Sequence, residues 1–191
     1  SSYNLADIRL FITRVDSYHP SFIGSDLPAM RERTIASHFA RAALGGARRL
    51  GYDYSNLLQQ LGISPELLDE PRARIAPEQF TRLIQALWLA LDDEYLGFGP
   101  TPSKTGTFAM MCHAVIHCRN LDKALHRGLL FYSLFPDGPR LTLTREDEWV
   151  RLSLDDSKFQ DPDHFLTESQ LMVWHRLGSW LIGQRIRLEQ A

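Results

Sequence analysis

From Thr34 onward the apolar pattern never runs far before a glycine or proline interrupts it, and this punctuation limits what the chain can fold into. Gly51, Gly62, Pro65, Pro71, Pro77, Gly97-Phe-Gly-Pro100 and Pro136-Asp-Gly-Pro139 cut it into short pieces. Glycine admits left-handed backbone and proline lacks an N–H, so each interruption stops or restarts an element. Within most pieces the apolar residues recur with the helical period of 3.6. Ile35, Phe39, Ala42, Ala43 and Leu50 share one helical face from Thr34, with Gly51 placed to close the helix in a left-handed conformation. Ser55 is expected to cap a short helix over 56–61, stopped by Gly62. Ser64-Pro65 supplies a cap and a first-turn proline for another, running to about Asp69. Pro77 opens a helix to about Asp92, with Phe80, Leu83, Ile84, Leu87, Trp88 and Leu91 on its apolar face. Phe108, Met111, Cys112, Val115 and Cys118 mark a compact helix over 108–118, and Asn120 caps another over about 121–134.

One pair of segments breaks the helical period. Leu141-Thr-Leu-Thr144 and Val150-Arg-Leu-Ser-Leu154 alternate with period two around an acidic turn, 146–148, which predicts a β-hairpin. The last piece, about 162–190, reads as one long helix. It carries Leu171, Met172, Val173, Trp174, Leu177, Trp180, Leu181, Ile182 and Ile186, and a helix apolar nearly all round is buried or at an interface. Near the start, Arg9-Leu-Phe-Ile-Thr-Arg-Val15 suits a short strand and 19–28 is turn-rich, so 1–33 is read as an extension or arm and 34–191 as the domain proper. The expected class is α+β, mostly helical, with helices packed on a small antiparallel β-hairpin or sheet.

Composition narrows the function. A chain of 191 residues buries enough surface to fold without a disulfide or metal. The net charge of -2 lacks the basic excess of a dedicated nucleic-acid binder. The charge is uneven: residues 1–50 hold seven Arg against four acids, and residues 51–100 three Arg against eight acids. Cys112 and Cys118, six apart on a helix, point to different faces and cannot pair there, which suits a reducing compartment. No apolar run approaches a membrane span, and no charged start followed by an apolar stretch marks a signal peptide, so a cytoplasmic protein is expected. There is no Gly-x-Ser-x-Gly elbow and no phosphate-binding glycine loop, so no enzyme is expected. The carboxylate pairs Asp155-Asp156 and Asp161/Asp163 fall at a strand end and a helix start, where acids favour the helix dipole.

Several groups invite a sharper reading. Leu57-Leu-Gln-Gln-Leu-Gly-Ile-Ser-Pro-Glu-Leu-Leu68 imitates a helix-turn-helix, but its second helix is short and acidic with Glu66, Asp69 and Glu70. A packed helical hairpin explains it better. Arg31, Arg33, Arg41, Arg48 and Arg49 read as a solvated face rather than a contact for DNA flanks or a partner domain. His113 and His117 stand four apart on one helical face and could share a metal ion, yet a structural site wants four converging ligands. The aromatics Trp88, Phe131, Tyr132, Trp174 and Trp180 suit a core or the wall of a small-molecule pocket. His113, Arg127 and His175 are the polar groups to place beside such a wall, with Arg127 suited to a carboxylate.

The order and spacing of these pieces resemble the arabinose-binding-type regulatory domain of the AraC/XylS family of bacterial transcription regulators. The resemblance is carried by Ala42-Ala-Leu-Gly-Gly-Ala-Arg-Arg-Leu-Gly51 with Leu57-Leu-Gln-Gln-Leu-Gly-Ile63, and by Arg74-Ile-Ala-Pro-Glu-Gln-Phe80 leading to Trp88. Tyr95-Leu-Gly-Phe-Gly99, Thr105-Gly-Thr-Phe-Ala109, Asn120-Leu-Asp-Lys-Ala-Leu125 and the hairpin complete it, over about 34–188. It implies an effector-sensing domain that forms a homodimer and has no cofactor, bound metal or membrane partner. DNA would be reached only through a C-terminal domain with two helix-turn-helix motifs, which the chain, ending at Ala191, is expected to lack. The expected effector residues are Trp88, His113, Arg127, Phe131, Trp174 and His175, and the expected dimer residues Leu171, Trp174, Leu177 and Leu181. The competing reading is a haem- or metal-dependent sensor using His113 and His117.

Overall fold

The computed structural model describes residues 5–11, 34–146 and 149–190. These fall into two compact units. One, the helical unit, holds 34–105 and 160–166; the other, the sheet unit, holds 5–11, 106–159 and 167–190.

The helical unit opens with strand β2 (Ile35–Ala36), paired antiparallel with β3 (Arg74–Ile75). A single helix from Thr34 is therefore corrected to a strand and two short helices, α1 (Ser37–Ala43) and α2 (Gly45–Arg49). Close packing requires the glycine within α2. A Cβ on Gly46 would lie 2.0 Å from the Leu96 carbonyl oxygen, so backbone itself meets backbone there. Splitting the helix leaves Phe39 and Leu50 exposed, although both fall on the face expected to be buried. Gly51 does take the left-handed conformation, at φ 71°.

Helix α3 (Ser55–Gln60) has Tyr54 at its cap position, while the Asp53 carboxylate accepts the Ser55 N–H at 2.9 Å. The expected Ser55 cap is thus displaced by one residue. Helix α4 (Pro65–Asp69) follows the sequence reading, with the Ser64 hydroxyl accepting the Leu67 N–H. In α5 (Pro77–Leu91), Leu83 and Leu87 are fully buried one turn apart, each worth about 1.5–3 kcal/mol. Asp92 ends that helix in left-handed backbone. The next loop is tied by buried Asp93, whose carboxylate accepts N–H bonds from Tyr95 at 2.9 Å, Gly97 at 2.8 Å and Ser103 at 2.7 Å. Arg49 adds bonds to the carbonyls of Gly97 and Gly99. Phe98 and Phe80 both pack on Phe165.

The sheet unit holds helices α6 (Thr107–Val115), α7 (Leu121–Tyr132) and α8 (Phe165–Leu181, from Thr167 on), with a four-stranded antiparallel sheet. The strand order is β4 (Arg140–Glu146), β5 (Trp149–Asp155), β1 (Leu5–Phe11), β6 (Arg187–Gln190). The hairpin β4–β5 follows the period-two segments, with Leu141 opposite Leu154 and Leu143 opposite Leu152. These four leucines face the core with Met111, Val115, Leu125, Tyr132, Trp174 and Ile186. Part of the segment read as an arm, Leu5–Phe11, lies within this sheet between β5 and β6.

The single C-terminal helix over 162–190 is corrected. It ends at Leu181, Gly183 turns the chain at φ 66°, and β6 follows. Two side chains of α8 grip the first buried residue beyond the turn. The His175 Nε2–H donates to the Ile186 carbonyl at 2.9 Å, and the Ser179 hydroxyl accepts the Ile186 N–H at 3.1 Å. With both backbone groups of Ile186 satisfied, pairing of β6 with β1 replaces further helix. Helices mixed with small antiparallel strands make this the expected α+β class, mostly helical.

Candidate functional site

The residues expected to contact an effector divide between the units. Trp88 sits half-buried on α5 in the helical unit, where its carbonyl accepts the Thr105 hydroxyl at 2.9 Å. The other five lie in the sheet unit, on α6, α7 and α8.

Helix α7 carries the first part of the site because Asn120 starts it cleanly, its side chain accepting the Lys123 N–H at 3.0 Å. Helical spacing then places Leu121, Ala124, Leu125, Gly128 and Tyr132 on the buried face. Gly128 decides how closely the neighbouring helices approach. A Cβ there would lie 2.7 Å from Trp174 Cη2 and 3.1 Å from Met111 Sδ. The indole and the thioether therefore close over bare backbone. Trp174 is 1% exposed, and its ring meets Tyr132 edge-on with centroids 6.0 Å apart. Tyr132 meets half-buried Phe131 edge-on at 5.5 Å, and Phe135 joins Phe131 at 5.6 Å. Trp174, Tyr132, Phe131 and Phe135 thus form an aromatic series from the core outward, in the offset geometry such rings prefer.

The polar candidates stand at different depths. His175 is buried beside Trp174 in the chain. Because Nε2 donates to the Ile186 carbonyl, the neutral ring carries its proton there and Nδ1 is left as an acceptor. That Nδ1 is buried with no hydrogen-bond partner among the described residues. Arg127 is exposed on α7, one turn before Phe131, and its Nη1 donates to the Ala114 carbonyl of α6 at 3.2 Å. His113 precedes Ala114 and is exposed. The structure therefore joins Phe131 to Trp174 through Tyr132 and sets Arg127 beside the segment carrying His113. It turns the His175 Nε2 toward Ile186.

His117 lies beyond the end of α6, exposed. Among the described residues no three His, Cys, Asp or Glu side chains gather where they could hold a metal ion. Leu171, Trp174 and Leu177 are buried in the sheet unit's own core and Leu181 is half-buried. The apolar side chains α8 leaves exposed are Met172, Val173 and Trp180. Of the short basic run, Arg41, Arg48 and Arg49 lie in α1 and α2, while Arg31 and Arg33 lie outside the described residues. No described helix is long and apolar enough to cross a membrane.

Sequence reasoning passed over Gly128. Its only sequence signal was a glycine inside a helical pattern, which costs helix stability and so implies a packing reason.

The family model for the arabinose-binding domain of AraC transcription regulators, N-terminal, matches residues 51–191. That span includes α6, α7, α8, β4, β5 and β6. No curated protein and no solved structure gives a match.

Proposed function

This chain belongs to the family of N-terminal arabinose-binding domains of AraC transcription regulators, and from that premise we propose that its sheet unit holds a small organic effector against the aromatic series of α7 and α8. The family match supports ligand sensing in the service of transcription. The observation that carries the location is the orphaned acceptor of His175. A buried polar atom without a partner costs about 1–3 kcal/mol, and a donor on a bound molecule would remove that cost. An effector with a hydroxyl or N–H group suits His175 Nδ1, and its apolar body would lie against Trp174, Tyr132 and Phe131. Arg127 and His113 supply polar contacts at the exposed end, and Trp88 serves the helical unit. Effector binding biases one conformation over another, and DNA is reached through a separate domain. The setting is cytoplasmic.

The chain pairs with a second copy along α8, where Met172, Val173 and Trp180 are exposed over the buried Leu171, Trp174 and Leu177, with Leu181 next to Trp180. Glu168 and Arg176 lie four residues either side of Met172, both exposed. A twofold axis at Met172 would set each Glu168 against Arg176 of the partner subunit. Sedimentation velocity of the purified chain reads this directly, and a strict monomer at high concentration would remove it.

The site is tested with His175→Gln. The glutamine amide nitrogen can reach the Ile186 carbonyl as Nε2 does, while the acceptor at Nδ1 is lost. A panel of sugars, hydroxy acids and aromatic carboxylates is first screened by thermal shift. An effector at about 100 times its Kd adds about 2.7 kcal/mol to stability. The expected result is a melting temperature near wild type and effector affinity lowered about tenfold, the loss of one hydrogen bond. Unchanged affinity in this variant places the effector elsewhere.

A further inference from the structure

Helices α6 and α7 and the turn between them carry a cationic face of which the effector site uses only His113 and Arg127. Arg119, Lys123 and Arg127 are exposed there, and so are His113, His117 and His126. From 113 to 127 the one acid is Asp122, and His126 Nδ1 already lies 3.4 Å from its carboxylate. Among the described residues no carboxylate pairs with Arg119, Lys123 or Arg127. Arg127 spends one donor on the Ala114 carbonyl and keeps the rest of its fork.

The placement is regular. Lys123 and Arg127 are one helical turn apart, about 6 Å along α7. Arg119 lies in the turn just before Asn120, the cap of α7. The bond from Arg127 to Ala114 joins the α7 row to the end of α6 that bears His113, with His117 in the turn beyond. Of the exposed apolar residues of this helix pair, Ile116 lies in the turn itself, whereas Met110, Leu130 and Leu134 fall nearer the other ends of the two helices. The cationic part is thus a row of solvated charges with one marginally exposed isoleucine, Ile116, and no Phe, Tyr or Trp side chain exposed within it. A protein interface of standard kind has a buried apolar or aromatic centre, whereas contacts to a phosphate backbone need only positioned cations and N–H donors.

We propose that this face lies along the phosphate backbone of duplex DNA, as an auxiliary contact without sequence preference. The inference rests on the chain's role in transcription and adds a second, weaker DNA contact on the regulatory domain itself. The overall charge of -2 does not oppose it. Exposed charges more than about 10 Å away are largely screened at 0.1 M salt, so the local row sets the field a phosphate meets.

Fluorescence anisotropy of a labelled random-sequence duplex tests this on the 191-residue chain, at salt from about 50 to about 200 mM. Three phosphate contacts predict a slope of log K against log salt of about -2.7. The variant carrying Arg119→Glu, Lys123→Glu and Arg127→Glu should abolish binding at the lowest salt. The milder Lys123→Gln should weaken binding on every sequence alike and reduce the slope by about 1. Circular dichroism and melting of both variants establish that they remain folded. The proposal is overturned if the wild-type chain shows no binding at low salt, or if the folded charge-reversed variant binds with unchanged slope. It is overturned also if charge reversal alters salt-dependent self-association instead, which would assign the face to an acidic protein surface. Effector binding is read separately by thermal shift, so a failure of the sensing role and a failure of the DNA contact are distinguishable.

Discussion

Replacing Gly128 by alanine tests the close packing on which the aromatic series depends. The added methyl would lie 2.7 Å from Trp174 Cη2, 3.0 Å from Cζ3 and 3.1 Å from Met111 Sδ. Non-bonded carbons rest about 3.5–4.0 Å apart, so the overlap with the indole is roughly 0.8 Å or more. Trp174 is fully buried and cannot swing into solvent, and Met111 is buried beside it. Overpacking of this kind costs about 1–3 kcal/mol. Alanine returns about 0.5–1 kcal/mol through its helix propensity, which leaves a net loss of up to about 2.5 kcal/mol. Trp174→Phe removes the ring atoms that clash, and by itself costs about 1–3 kcal/mol through the space it leaves. In the double variant the methyl occupies part of that space. Its loss should therefore fall short of the sum of the single losses by about 1 kcal/mol or more. Urea unfolding followed by far-UV circular dichroism measures all four proteins without relying on Trp174 fluorescence. An alanine variant more stable than wild type by about 0.5–1 kcal/mol, with no coupling to Trp174, would show propensity alone at work and refute the packing argument.

Two further predictions use other parts of the molecule. Burial pushes the Tyr95 phenol up to about 12, opposed by its hydrogen bond with Ser103 and reinforced by Asp93 and Glu94. The folded state holds this proton more tightly than the unfolded chain, whose tyrosine titrates near 10. The contribution, about 2–3 kcal/mol, is therefore full below about pH 10 and lost as pH rises to about 12. Tyr95→Phe should flatten stability across that window, and an unchanged alkaline slope in urea melts would assign the loss to another group. Trp180 is 67% exposed on α8, so Trp180→Glu should leave the monomer's melting nearly unchanged while weakening self-association at least tenfold. Identical sedimentation of variant and wild type would remove α8 from the dimer contact.

Local chemistry was legible wherever a few neighbouring residues decide the outcome. Ser64-Pro65 started α4, Pro77 started α5, Asn120 capped α7, and alternating leucines made the β4–β5 hairpin. The site was half legible. Helical spacing put Trp174 and Tyr132 on buried faces, but which rings meet depends on how α7 approaches α8, and Gly128 governs that through a contact 46 residues away. The exposure of Arg127 and the engagement of His175 Nε2 by Ile186 were beyond any one segment's pattern.

The sequence by itself therefore determined the kind of each element and most of its starting points, because caps, proline and apolar period act within about one helical turn. Gly183 offered a local stop for the last helix, and tertiary structure decided what the chain does beyond it. Leu181 to Ile186 still read as apolar helix, but His175 and Ser179 hold the Ile186 backbone and β6 pairs with β1 at the far end of the chain. Strand pairing between segments so distant has no signature in either segment, since its hydrogen bonds join backbone groups that every residue carries.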